Sequence, residues 1–344
     1  MKALVKYAAG DGNVEIREVP QPACGENQVL LEVEACGICG TDLHVYHDTF
    51  RNFPPVILGH EFAGRIVDMG KCVAGVALGD RCCVLGATAV TCGRCTYCRQ
   101  GEFMFCRERR GMGHGVNGAF TRQVAVRPDQ LYHLPDNLPT ELGALVEPLA
   151  AAVHAVCEIS VVRPGDVALV SGPGPMGMLC FLLLAAQGIP SIVVGTSADA
   201  ARLALARRLG AVATIDVTRE DLSRVVRAHT GGQGIDLALE CAGAAASARS
   251  CLDSLRPLGR YTQVGHFGKT VELNFDHVAF KQLQVRGSVG YTADTWSRTL
   301  RILQHGRLPI AEIVTHRLPL ERWREGFDLC ERKEALKVLL LPAA

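Results

Sequence analysis

Up to about residue 150, the apolar positions come in short runs broken by Gly, Pro and Asp. Stretches such as QVLLEVEACGICG (28–40) and FAGRIVDMG (62–70) alternate apolar and polar side chains, the pattern of half-buried strands in an antiparallel, β-rich unit. From about Val161 the rhythm changes. Short apolar runs (DVALVSG, SIVVGT, VATID, GIDLALECAG, RYTQVG) now alternate with helical stretches such as ADAARLALARRLGA, which predicts βαβ units and a parallel sheet. After about Ala293 the chain returns to mixed helix and short strand, ending in ALKVLLLPAA. Pro164 and Gly165 form a turn at the seam. The expected division is a β-rich domain over 1–150 and 293–344, with a parallel-sheet domain over 151–292 between its two parts.

Composition narrows this picture. A chain of 344 residues with 48% hydrophobic and 21% charged side chains supports two domains with substantial cores. The 36 basic and 35 acidic residues leave a formal charge of +1, without the excess expected of a nucleic-acid partner. The most apolar stretch, MGMLCFLLLAAQG, is too short for a membrane span, and the N-terminus mixes charges into its apolar positions, unlike a signal peptide. No membrane partner and a cytoplasmic address are expected. Fifteen cysteines, an odd number scattered through apolar runs, do not read as a disulfide framework.

Four of them are clustered. Cys92, Cys95, Cys98 and Cys106 follow C-x2-C-x2-C-x7-C, and four thiolates complete a closed tetrahedral zinc site that can hold a small lobe in shape. An iron–sulfur cluster also takes four cysteines, but a ferredoxin run brings the last one sooner and follows it with proline; here Arg107 follows. Four unliganded thiols on a polar loop are the remaining alternative.

A second group is more dispersed. Cys39, His60 and the carboxylate of Glu147, embedded in ALVEPLAAAVHAV, offer three ligands and an open fourth position, as catalytic zinc requires; Glu61 stands beside His60. Each also has a plainer reading: Cys39 as a small core residue, His60 as a turn residue, Glu147 as a helix N-terminal acid. Further along, Gly172, Gly174 and Gly177 form G-x-G-x-x-G with Pro175 and Met176 between the last two. The motif follows a predicted strand and opens an apolar helix, the context of a dinucleotide-binding turn whose pyrophosphate rests on a helix N-terminus.

GHEFAGRIVDMG, with CGICGTDLH upstream and the four-cysteine lobe downstream, resembles the zinc-containing medium-chain alcohol and polyol dehydrogenases, especially the sorbitol and threonine dehydrogenase branch. The resemblance covers essentially the whole chain. It implies an α/β protein with a GroES-like catalytic domain and a doubly wound Rossmann cofactor domain. It also implies two zinc ions per chain and hydride transfer between a secondary alcohol (a polyol, sugar alcohol or amino alcohol) and NAD(P). By the same resemblance Cys39, His60 and Glu147 ligate catalytic zinc, with Glu61 an alternate ligand. Asp42 would orient His60, and Thr41 and His44 would relay the alcohol proton.

Relatives of this kind bind an acid-bearing strand end to the ribose; here that position falls on Ser197, with Thr196 before it and Arg202 following. The missing acid shifts the expected cofactor slightly towards NADP over NAD. A homodimer or homotetramer is expected by the same analogy. A catalytically silent nucleotide-binding protein, or a zinc-ribbon interaction module, is the alternative. Tyr46, Phe53, His114 and Trp296 are candidates for the substrate pocket.

Overall fold

The computed structural model describes residues 1–306 and 308–342. The chain divides into two compact units. One is built from Met1–Glu147, Thr292–Gly306 and the segment from Ile310 onward; the other is built on Pro148–Tyr291.

The first unit holds a three-stranded and a seven-stranded sheet. In the larger one, the strand Val29–Gly37 is central, flanked by Glu61–Met69, Gln123–Val126 and Lys337–Leu341, all antiparallel to it. Its position departs from the expected alternation. Seven of the nine residues of Val29–Gly37 are buried, because both faces are covered and only Glu32 and Glu34 escape. The C-terminal strand Lys337–Leu341 also pairs in parallel with Val314–Pro319, an exception to the antiparallel pattern. Leu31, Val33, Phe62, Ile66, Phe120 and Val338 pack at the centre of this core. Trp296 lies on the helix Ala293–Gln304 and is wholly buried against Tyr132, so it is a core residue and not part of an open pocket.

The second unit is a six-stranded sheet in which every adjacent pair is parallel. Its strands, in chain order, are Ala168–Ser171, Ser191–Gly195, Ala213–Asp216, Ile235–Glu240, Leu255–Gln263 and Gln284–Gly287. Counted along the chain from one to six, they lie side by side as 3-2-1-4-5-6, the Rossmann order, with its reversal beside Ala168–Ser171. The helix Pro175–Ala186 is apolar on every side and buries all of Gly177–Leu184, as a helix enclosed by its own fold does.

Candidate functional site

Cys39 sits two residues beyond the central strand and caps the short helix Gly40–Tyr46 in an extended conformation. Asp42, wholly buried in that helix, turns back and accepts the Cys39 amide at 2.9 Å and the Gly59 amide at 3.2 Å. One carboxylate thereby ties together the two loops that carry Cys39 and His60. The sheet register does the rest: Gly37 pairs with Glu61, so His60 and Glu61 arrive opposite the end of the strand that leads to Cys39. One ligand atom from each of Cys39, His60 and Glu61 lies within 4.8 Å of the other two.

Glu61 fits only because Gly37 lacks a side chain; a Cβ there would come within 2.3 Å of Glu61 Oε2. The same carboxylate oxygen accepts a 2.6 Å hydrogen bond from Lys337, which also donates to the Ile38 carbonyl at 3.0 Å. Both side chains are almost wholly enclosed. Burial alone would lower the pKa of Lys337, but the Glu61 carboxylate outweighs it and raises the ammonium above its ordinary value. Sequence reasoning missed this residue. Its signal was a lone charge inside the apolar run ALKVLLL, which can be buried only beside a countercharge.

His60 Nδ1 is 3.5 Å from Asp42 Oδ1 and makes no hydrogen bond among the described residues. Burial depresses the imidazole, yet Asp42 and Cys39 reverse this and raise it well above its usual value. A soft sulfur, an imidazole and a carboxylate in this arrangement form a donor set suited to zinc. Thr41 Oγ1 lies 3.7 Å from Cys39 Sγ. His44, on the same helix, is exposed, with Nδ1 3.0 Å from Thr49 Oγ1. Glu147 is half-buried in the first turn of the helix Val146–Val153 and is not in the close group of three.

The other three pocket candidates have different neighbours. His114 packs edge-on against Phe50, and burial, then His60 and Arg109, push its pKa down to about 4. The Phe53 amide donates to the His114 carbonyl, while Tyr46 packs against Trp323 and Phe327.

The second thiol group converges too. Cys92, Cys95, Cys98 and Cys106 bring their sulfurs within 4.8 Å of one another, and Cys92 and Cys98 are 3.9 Å apart. Tetrahedral zinc with bonds of about 2.3 Å would set its sulfurs roughly 3.8 Å apart. Backbone N–H groups of Cys92, Cys95 and Cys98 each point at a neighbouring sulfur at 3.4 Å. The amides of Arg94 and Cys95 draw Cys92 down to about 6, while burial and the neighbouring thiols raise Cys98, so the clustered thiols share their protons unequally.

In the second unit, the three glycines occupy three different environments. Gly172 adopts φ +98°, and a Cβ there would strike the Ala242 backbone at 2.6 Å. A Cβ on Gly177 would meet the Gly172 carbonyl at 1.9 Å. Gly174, capping the helix that Pro175 and Met176 begin, faces open space within 4 Å. Tight turn, open face and close packing together match a cradle for a dinucleotide pyrophosphate.

The second strand ends in a tied cluster. Asp199, only 6% exposed, accepts the amide and hydroxyl of Thr196 and binds Arg202 at 3.2 Å. Arg202 is therefore held towards Asp199. Ser197 donates to Asp216 at 2.6 Å.

Comparison with known proteins agrees with this geometry. The alcohol dehydrogenase GroES-like domain matches residues 25–136, and the zinc-binding dehydrogenase domain matches 175–305. The chain is 37% identical over 344 residues to the sorbitol dehydrogenase of Halalkalibacterium halodurans, covering 99% of each. It is 34% identical to the L-threonine 3-dehydrogenase of Yersinia pseudotuberculosis over 345 residues, again with 99% of each chain covered. A Sinorhizobium meliloti zinc-binding dehydrogenase solved with NADP bound superimposes with a TM-score of 0.90 at 31% identity, covering 99% of both chains. With a GroES-like unit, a Rossmann unit and full-length relatives of this kind, the chain belongs to the zinc-containing medium-chain alcohol and polyol dehydrogenases, and it is an oxidoreductase.

Proposed function

We propose that the protein interconverts a small polyol, sugar alcohol or amino alcohol and the corresponding ketone, using one catalytic and one structural zinc and NADP, with NADP preferred over NAD by a small margin. The convergence of Cys39, His60 and Glu61 around Asp42 carries the reading. Cys39 and His60 hold the catalytic metal, and Glu147 or Glu61 supplies its carboxylate. Zinc, when bound, lowers the pKa of an alcohol hydroxyl beside a nicotinamide that accepts the hydride. Thr41, beside the Cys39 sulfur, would take the substrate proton while giving up its own, and exposed His44 would release a proton to solvent.

Cys92, Cys95, Cys98 and Cys106 hold the structural ion. Gly172, Gly174, Pro175, Met176 and Gly177 cradle the pyrophosphate, and Thr196, Ser197 and Arg202 border the adenosine ribose. The neutral Ser197 and the NADP-bound relative support NADP. The many cysteines, an odd number and scattered through apolar runs, support a reducing, cytoplasmic setting. The strand Gln284–Gly287 is an exposed sheet edge, with Phe280 85% exposed nearby, which supports a homo-oligomer paired through a second copy.

Turnover of a panel of polyols, sugars and threonine with each cofactor, in wild type and in Cys39→Ala and Glu147→Ala, tests the reading. Loss of kcat with retained nucleotide binding is expected; undiminished kcat in either variant removes that residue from the mechanism. Zinc analysis should give two ions per chain.

A further inference from the structure

The cofactor choice proposed above turns on the end of the second strand of the parallel sheet. Ser197 lies twenty residues beyond Gly177, where dinucleotide-binding folds place the acid that accepts the ribose 2′-hydroxyl. The position is neutral in sequence but not in space. Strands Ser191–Gly195 and Ala213–Asp216 pair in parallel with Gly195 opposite Asp216, so the two strands end side by side. The Asp216 carboxylate accepts the Ser197 hydroxyl at 2.6 Å through Oδ2, and the Thr218 hydroxyl at 2.6 Å through Oδ1. The Thr218 amide adds a third bond at 3.0 Å. These hydroxyls hold Asp216 below the usual carboxylate range, so it is charged at neutral pH.

We propose that Asp216, acting through Ser197, is a positioning residue for cofactor choice that restrains 2′-phosphate binding and keeps NAD competitive. The proposal rests on the dinucleotide reading above. A hydroxyl has one proton; that of Ser197 lies on Asp216, and the Ser197 oxygen also touches the Thr218 hydroxyl at 2.7 Å, whose own proton lies on the same carboxylate. Towards a ligand, Ser197 therefore presents its remaining lone pair. It can accept from a ribose 2′-hydroxyl, as an acid would, and cannot donate to a phosphate without giving up Asp216. Behind it stands a negative charge, which repels a dianionic phosphate. The nearest cation, Arg219, is 78% exposed and lies 3.7 Å from Asp216, so the carboxylate also holds a positive charge that a 2′-phosphate would otherwise recruit. Arg202 is held by Asp199 and does not offset this.

The test compares zinc-loaded wild type with Asp216→Asn, which keeps the shape and accepting oxygen while removing the charge. Titration calorimetry measures NADP, NAD, 2′-AMP and 5′-AMP, and kcat/KM is measured with both cofactors. Loss of one like charge near the phosphate predicts a rise of about tenfold in the NADP-to-NAD affinity ratio, with 2′-AMP tightening relative to 5′-AMP. The gain should shrink at high salt. A purely structural role would weaken both nucleotides together, and a ratio that stays within about twofold overturns the proposal. Wild type that binds neither dinucleotide would overturn the cofactor reading itself, an outcome plainly separate from an unchanged ratio.

Discussion

Replacing Lys337 with Met isolates the buried pair beneath the candidate metal centre. Met has a similar length and no charge, so little packing volume is lost. What disappears is the ammonium that faces Glu61 at 2.6 Å and the Ile38 carbonyl at 3.0 Å. Neither orphaned group can turn to water, because the Glu61 side chain is 1% exposed and Ile38 3%. Breaking one side of such a pair costs about 3–5 kcal/mol, chiefly through the uncompensated charge left behind. Because the strand Lys337–Leu341 pairs directly with Val29–Gly37, the loss falls on the central strand of the sheet. Thermal unfolding should move down by roughly 6–20 °C, at a few degrees per kcal/mol for a unit of this size. The double variant Glu61→Gln, Lys337→Met removes the stranded charge and should recover at least half of the loss. Urea and calorimetric unfolding of all four proteins would close the double-mutant cycle. The reasoning fails if Lys337→Met unfolds with the wild type, or if the double variant is no better than the single one.

Cys98→Ser should reduce zinc from two ions to one and lower the unfolding temperature, because a closed thiolate site contributes folding free energy; full stability after exhaustive metal removal would refute the structural-zinc assignment. The last two glycines of the nucleotide turn should separate folding from binding. Gly174→Val meets nothing within 4 Å and should keep wild-type stability while losing at least about tenfold in dinucleotide affinity, whereas Gly177→Val drives a side chain into the Gly172 carbonyl and should destabilise the fold. His47 sits between Glu331 at 2.6 Å and Asp11 at 2.8 Å, and first Glu331, then Asp11, raise its pKa above 6.5. Its contribution is therefore complete below pH 6.5 and fades as pH rises through the raised value. The stability gap between wild type and His47→Gln should be full below pH 6.5 and narrow as pH rises above it, and a gap independent of pH would rule out the clamp.

The parallel unit was legible because its signals are local. Short apolar runs alternating with helices, and glycines at fixed spacing, set strand, turn and helix within some twenty residues. The Rossmann order that those signals imply is the order found. The thiol lobe was legible for the same reason: Cys92 and Cys106 are only fourteen residues apart, and their loop brings the sulfurs together without help from distant chain.

Residue chemistry raised Cys39 and His60 as possible ligands beside plainer readings, and only the family resemblance favoured the metal, because the two meet only through the pairing of Gly37 with Glu61 and the Asp42 bridge between two loops. Alternation misjudged the strand Val29–Gly37, since a central strand covered on both faces has no polar side to display. The partners in two charge relationships lay outside the sequence's reach. Lys337 meets Glu61 across 276 residues, and Asp216 supplies a charge beside Ser197 from the next strand. Sequence determined which residues could carry charge, ligate metal or turn tightly. Tertiary structure decided which of them became neighbours, because burial forces a charge to find its partner wherever the sheet register delivers one.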